Sequence, residues 1–331
     1  MPKNHTAVNR TTPLKNLAHK ANMTVNALDS NYLGLTAIVT TLYQTLFFII
    51  TYVFKFDKVT DFAGGTNFAI LALLTFFLNQ TYHPRQIVLT CLVTIWSLRL
   101  SGFLLYRILQ WGEDHRFDEK RGKLLPLLTF WFFQALWVFT VSLPLTFINS
   151  NDSTRSIGFR DIFGWVLWAV GFVIECMADQ QKLRFKQDQQ NKGKCCMVGW
   201  WKWSRHPNYF SEIILWWGIY ISATRNLRGG QHAAVIGPLF ITAILLFLSG
   251  LPLLEKSGDK KYGEQEEYVR YKRGTSILVP LPPGVYQRIP EVVRKTVLLD
   301  LPMYDHLDGE KKSLIGKKEN KGTTGQSESV A

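Results

Sequence analysis

Cysteine is scarce in this chain: only four of its 331 residues. Cys91 and Cys176 fall inside apolar runs and Cys195-Cys196 are adjacent in a basic loop, so there is neither a disulfide framework nor metal-ligand spacing. No metal site is expected. Acidic residues are also in short supply, 25 Asp and Glu against 38 Lys and Arg, giving a formal charge of +13. That excess does not point to nucleic acid, because the basic residues sit mainly in loops and tails flanking apolar runs, where topology and anionic lipid account for them. The N-terminus, rich in Asn, Thr and Lys, has no apolar stretch before the first long run and therefore reads as a polar tail, not a cleaved signal peptide. No internal repeat is present.

What the chain does have is hydrocarbon. Aromatic residues make up 14% and hydrophobic residues 47%, yet mean hydropathy is close to zero, because long apolar runs alternate with polar loops and both ends are hydrophilic. Runs of about twenty apolar residues match the roughly 30 Å hydrocarbon core of a bilayer. The fold class is thus all-α, a multi-pass transmembrane bundle of about seven spans: 33–54, 66–80, 86–109, 126–149, 158–179, 209–223 and 232–253. The domain reading is a polar tail over 1–30, a transmembrane domain over 31–290 and a disordered polar tail over 291–331.

The loops set an orientation. Arg107 to Lys123 carries five Lys/Arg and Gln180 to Pro207 carries seven, whereas 81–85, 150–157 and 224–231 carry one, one and two. The positive-inside rule places the long basic loops and the C-terminus in the cytosol, although the N-terminal tail carries four basic residues of its own. The N-x-S/T sequons at Asn4, Asn9, Asn22, Asn79 and Asn151 all fall on the opposite side. After the last span, about 259–273 reads as a short amphipathic helix ended by Gly274.

Ionisable residues then cluster where they are costly. Pro207 suits the first turn of a helix, which puts Asn208 and Glu212 four apart on one face with Tyr209 beside them. Arg205 and His206 sit at the positive helix end, a good place for phosphate; the plainer reading has Arg205 reaching lipid headgroups and His206 capping. An acid inside a span, such as Glu212, is a functional-site hypothesis by default. Glu175, Asp179, Lys182 and Lys186, at spacings of four, three and four, form one stripe on a helix leaving the membrane. For the two lysines, ordinary decoration of a solvated helix is an equal alternative. Arg99 lies near mid-span, followed by Tyr106 and Arg107, then Asp114, His115 and Arg116. It needs an acid, a cavity or a bound anion, which Glu212, Glu175 or a ligand could supply. Tyr268, Tyr271 and Lys272 belong to the helix after the last span, where an interfacial role competes.

The segments "ECMADQQKLRFK", "GWWKWSRHPNYFSEIILWWG" and "YVRYKRGTSILVPLPP" together resemble the steroid 5-alpha-reductase-like superfamily, in particular its largely uncharacterised multi-pass branch, from about Leu98 to Pro283. Isoprenylcysteine carboxyl methyltransferases share a similar Arg-His-Pro-x-Tyr stretch. The resemblance implies a helical bundle that holds NADPH in a cytosol-facing cavity and reduces a C=C bond conjugated to a ketone. It assigns Asp179, Arg205, His206, Asn208, Tyr209 and Glu212 to the cofactor pocket, with Tyr268 and Lys272 closing it, and Lys182 and Lys186 as partners of the phosphates. Two departures stand out. Ser211 occupies a position where relatives usually carry glycine, and spans one and two hold no Glu to polarise a ketone, with Tyr43 and Tyr82 the candidate tyrosines. No catalytic residue is assigned.

The expectation is therefore an NADPH-dependent membrane oxidoreductase in the endoplasmic reticulum, acting on a lipophilic small molecule in contact with membrane lipid. Its rivals are an S-adenosylmethionine-dependent membrane methyltransferase and a non-catalytic lipid-binding protein. The cationic stripe favours the first, since phosphate-directed lysines are superfluous for a cofactor without phosphates.

Overall fold

A computed structural model describes residues 29–56, 58–111, 123–152 and 155–307. Asn4, Asn9, Asn22, Asp114, His115 and Arg116, and residues 308–331, lie outside the described residues. The apolar runs form helices α1 (Leu33–Phe54), α2 (Thr60–Asn79), α3 (Pro84–Trp111), α4 (Leu124–Ser150), α5 (Phe159–Gln187), α6 (Pro207–Ala223) and α7 (Ile236–Ala243), followed by α8 (Leu251–Tyr262), α9 (Glu266–Gly274), α10 (Pro283–Tyr286) and α11 (Glu291–Thr296). The only β pairing among the described residues is an isolated parallel bridge between Ser204 and Ser276. Six stretches are long and apolar enough to cross a membrane: Leu33–Phe54, Thr60–Asn79, Pro84–Gln110, Leu124–Ser150, Phe159–Gln187 and Gly229–Tyr262. The protein is an all-α, multi-pass integral membrane protein. The expected span missing from these six is the sixth, 209–223, which is α6; it has 17 residues, about 26 Å at about 1.5 Å per residue, at the short end for a crossing.

Two boundaries differ from the sequence reading. The second helix starts at Thr60 and not near 66, because Thr60, Ala63, Gly64, Gly65 and Asn67 are buried against neighbours and need no hydropathy of their own. The single helix expected over 259–273 is two. Asp259 accepts the Gly263 amide (2.9 Å), closing α8, and Tyr262 accepts the Gln265 amide (2.9 Å) before α9 begins.

The described chain forms two compact units, one of residues up to Trp168 with Trp216–Phe240, the other of Ala169–Leu215 with Ile241 onward. In the first, Phe68, Trp96 and Trp216 make a buried aromatic cluster with ring centroids 5.0–5.3 Å apart. Arg85 and Asp161, both fully buried, form an ion pair. Asp161 also accepts from the Gly158 amide and the Ser222 hydroxyl. The sequon residues Asn79 and Asn151 have their side-chain amides bonded within this unit, Asn79 to Thr81 and to the Asn151 carbonyl, Asn151 to Asn226 and Gln231.

The second unit carries the basic and acidic motifs. Gly171 on α5 lies against the Ser211 carbonyl of α6, so close that an added Cβ would sit 2.6 Å from that oxygen. The close approach of the two helices at Ser211 is thus permitted by the glycine on α5. Ser211 is buried and returns its hydroxyl to the Pro207 and Asn208 carbonyls, a local bond that hides its polarity inside the helix. Helix α7 runs into a π-helical turn, Ile244–Leu248, and then breaks. Gly250 must be small there, because its Cβ would lie 2.1 Å from the Leu245 carbonyl oxygen. Residues 291–307, read from sequence as tail, are folded: α11 is followed by a short turn at Pro302–Tyr304, and Tyr304 and Leu298 are buried. They fold because their apolar and tyrosine side chains cover the unit's core, packing Tyr304, Leu299 and Leu301 on Leu246, Leu251, Ile277 and Leu278.

Candidate functional site

Residues 204–206 are held by backbone before α6 starts. The amides of Arg205 and His206 donate to the carbonyls of Ser276 (2.8 Å) and Ile277 (3.1 Å), and the Ser204 hydroxyl accepts from the His206 amide (3.0 Å). This pairing fixes two buried polar side chains over one carboxylate, Glu255, on α8. His206 Nε2 lies 2.7 Å from Glu255 Oε1, and Arg205 Nε lies 3.4 Å from the same oxygen. Lys272 of α9 approaches the other oxygen at 3.1 Å.

The network continues downward. Lys272 Nζ donates to Asp259 Oδ1 (2.7 Å) and to the Tyr304 carbonyl (2.8 Å), and Tyr268 donates its hydroxyl to Asp259 Oδ1 (2.8 Å). The His306 amide donates to Asp259 Oδ2 (2.9 Å). Arg205 donates to the Lys272 carbonyl and to Asp300 Oδ1 (3.2 Å), and Tyr286 donates to Asp300. Glu255, Asp259, Arg205 and Lys272 are each at most 7% exposed. Each of the two buried carboxylates is paired with a buried cation, Glu255 with Arg205 and Lys272 and Asp259 with Lys272, the condition under which charges tolerate burial.

The electrostatics follow from this arrangement. Burial works against the Arg205 charge, but the carboxylates of Glu255 and Asp300 outweigh it and raise its pKa. Burial lowers the His206 pKa, more than the Glu255 bond raises it. Imidazole is therefore neutral at pH 7, with Nε2 as donor to Glu255, and Nδ1 has no hydrogen-bond partner among the described residues. Burial first, then Glu255 and the Asp259 bond, raise the Tyr268 phenol.

A cavity of about 210 Å³ adjoins the cluster, its lining including Lys182, Lys186 and Lys261 as well as Arg205, His206, Glu255, Tyr268 and Cys195. Lys182 Nζ sits 4.0 Å over the Trp201 ring, and Trp201 donates its indole N–H to the Ala178 carbonyl, which fixes the wall. Burial pushes the Cys195 thiol up to about 11, leaving it an inert neutral group at pH 7. A second cavity of about 110 Å³ is lined by Arg205, Lys272, Arg273, Asp300, Tyr304 and Asp305.

Of the residues singled out in the sequence, Lys182, Lys186, Arg205, His206, Tyr268 and Tyr271 line the 210 Å³ cavity, and Lys272 lies in the cluster beside it. Asp179, Asn208, Tyr209 and Glu212 line neither cavity. The helical face joining Asn208 to Glu212 does not extend to Arg205 and His206, whose backbone is turned aside by Ser276 and Ile277. Tyr209 stacks on His206 (5.7 Å, 17°) and packs on the apolar cluster under α6. Asn208 Oδ1 is buried with no hydrogen-bond partner among the described residues, and Asp179 and Glu212 are half-buried. In the other unit, Arg99 lies 5.4 Å over the Phe103 ring, Tyr43 shares a 2.8 Å hydrogen bond with Thr66, and Tyr82 is exposed.

Sequence reasoning missed Glu255, Asp259 and Asp300. Glu255 and Asp259 carried a signal, a carboxylate pair four apart at the end of an apolar run, the same pattern noted at Glu175 and Asp179. Asp300 carried none.

No solved structure matches this chain. An uncharacterized protein of Schizosaccharomyces pombe is 27% identical over 209 residues, 54% of this chain and 59% of that protein. A probable O-methyltransferase, ustE, of Ustilaginoidea virens is 33% identical over 66 residues, 20% of this chain and 23% of its own length. The chain thus spans under two thirds of either relative. A family model described as "Protein of unknown function (DUF1295)" matches residues 47–275, well over half of the chain, so the protein belongs to that family and with it to the steroid 5-alpha-reductase-like superfamily.

Proposed function

We propose that the protein is a membrane oxidoreductase that reduces a C=C bond conjugated to a carbonyl, in a steroid or other lipophilic substrate, with NADPH. The observation that carries this reading is the presence of three lysines, Lys182, Lys186 and Lys261, in the lining of the 210 Å³ cavity, whose other charged residues, Arg205 and Glu255, are paired with each other. Lysine side chains bind phosphate as point charges, so the donor set fits the phosphate-bearing part of a dinucleotide. The volume lies below the roughly 300–1,000 Å³ of sites that enclose a drug-sized ligand, so the cavity suits that part and not the whole molecule.

NADPH would supply hydride for the β carbon of the enone. The chain's own contribution is placement. Lys182 and Lys186 would hold the phosphates, Arg205 and His206 would keep the cavity floor in shape through Glu255, and Tyr268, kept neutral by burial and its carboxylate neighbours, would face the ligand as an uncharged phenol. Arg205 and Lys272 act here as positioning residues, because their charges are already met by Glu255, Asp259 and Asp300.

A second reading, methyl transfer from S-adenosylmethionine, is favoured by one observation, the local similarity to the probable O-methyltransferase. Equilibrium binding of radiolabelled NADPH and of S-adenosylmethionine to the purified full chain in detergent separates the two. NADPH is expected to bind, and Lys182→Ala with Lys186→Ala to weaken it about tenfold or more, whereas Lys192→Ala leaves it unchanged, a loss of about 1.4 kcal/mol per tenfold. Binding of S-adenosylmethionine alone would transfer the site to the second reading. Binding of neither would overturn both enzymatic readings.

A further inference from the structure

We propose that the outward face of residues 285–297, together with Trp203, is an anchor for an anionic bilayer surface, and that it holds Asp300 against Arg205. The segment follows the last of the six apolar stretches and has two unlike sides. Inward, Tyr286 and Leu298 are buried. Outward, Val292 is 71% and Val297 66% exposed, with Val285 and Val293 also exposed. The same stretch also exposes Gln287, Arg288, Glu291, Lys295 and Thr296, an amphipathic mixture of the kind found at a membrane interface. Trp203 is 42% exposed, and its carbonyl accepts the amide of Leu281 (3.0 Å), which brings its backbone beside the start of this segment.

The charge pattern selects the partner. Arg288 and Lys295 are exposed beside the valines, Arg294 lies 5.3 Å over the Tyr286 ring, and the one carboxylate of the stretch, Glu291, is already paired with Lys295. Apolar side chains beside cations, with a tryptophan at the edge, are what a headgroup and acyl boundary of anionic lipid accepts. The inner side then connects the anchor to the site. Tyr286 and Arg205 both donate to Asp300, and the Asp300 amide is fixed by the Arg294 carbonyl (3.0 Å). Seating the valines in lipid therefore holds the carboxylate on the cavity-wall arginine. The inference needs no particular cofactor and stands whether or not NADPH binds.

The test is amide hydrogen exchange of the ligand-free full chain in nanodiscs of phosphatidylcholine, with and without phosphatidylglycerol. Exchange over 291–298 is expected to slow about fivefold when the anionic lipid is present, the effect of one uncompensated surface cation, Arg288, since Lys295 is paired with Glu291. Arg288→Gln with Lys295→Gln should remove that difference, and Val292→Glu with Val297→Glu should remove protection in both lipids. Equal exchange in the two lipids overturns the proposal. Protection that follows protein concentration and not lipid charge also overturns it, assigning the face to a second copy of the chain.

Discussion

Glu255 is the residue on which the site's geometry rests, and Glu255→Gln tests this without changing side-chain size. A unit charge at 3.1 Å, the Lys272 distance, is attracted by about 5 kcal/mol at an effective dielectric near 20, and Arg205 at 3.4 Å by nearly as much. Desolvation offsets most of this. What remains when one partner of a buried pair is removed is about 3–5 kcal/mol, because Arg205 and Lys272 keep their charges in a buried place with only Asp300 and Asp259 to meet them. At about 2–4 °C per kcal/mol, the thermal midpoint of the detergent-solubilised chain should fall on the order of 10 °C. Lys295→Ala, which breaks an exposed pair on α11, should leave the midpoint nearly unchanged, because water screens such a pair. A Glu255→Gln midpoint within about 2 °C of wild type, worth under 1 kcal/mol, would show that the three partners do not depend on its charge, and the account of the cluster would fall.

Two further outcomes follow from the same physics. His206 is held below its ordinary pKa by burial, so the unfolded chain takes up a proton near about pH 6.5 and the folded chain does not. The unfolded state then binds more protons, and stability declines as pH falls through that value. The thermal midpoint should drop on acidification from about pH 7.5 to about 5.5, and His206→Gln should flatten this limb; an unchanged slope would assign it to another group. In the other unit, Asp161→Asn leaves the fully buried Arg85 without its carboxylate. The expected loss is about 3–5 kcal/mol, with the double variant Arg85→Met and Asp161→Leu nearer to wild type than the single one, read as folded yield and thermal midpoint. A single variant as stable as wild type would remove the ion pair from the account of that unit.

The helices were legible in the sequence because hydrocarbon length is a local property. Pro207 marked the start of α6, and the stripe from Lys182 to Lys186 marked one cavity wall. The cluster was not legible in the same way. Arg205 meets Glu255, Lys272 and Asp300 across 50, 67 and 95 residues, separations that leave no trace in periodicity. Its role changed accordingly: read alone beside a helix end, it looks like a free arm for an anion, whereas in the fold its charge is spent on carboxylates. Asn208 and Glu212 share a helical face as their spacing requires, yet the cavity is lined by residues that precede that helix. The segment around Asp300 misled for another reason, since prolines and charges resemble a tail until the apolar residues between them, Leu298 and Tyr304, are seen to be buried.

The break after α7 has a consequence for biosynthesis. The Leu246 carbonyl, in the π-helical turn, is satisfied by the Tyr304 hydroxyl at 2.7 Å, 58 residues further along. During translation this part of the final span is made well before the group that completes it. Until Tyr304 emerges, a peptide oxygen at the break lacks its native donor. The quality of the last span is therefore decided by chain synthesised after it, and a nascent product halted before 304 differs chemically from a finished one at a place cellular surveillance could read.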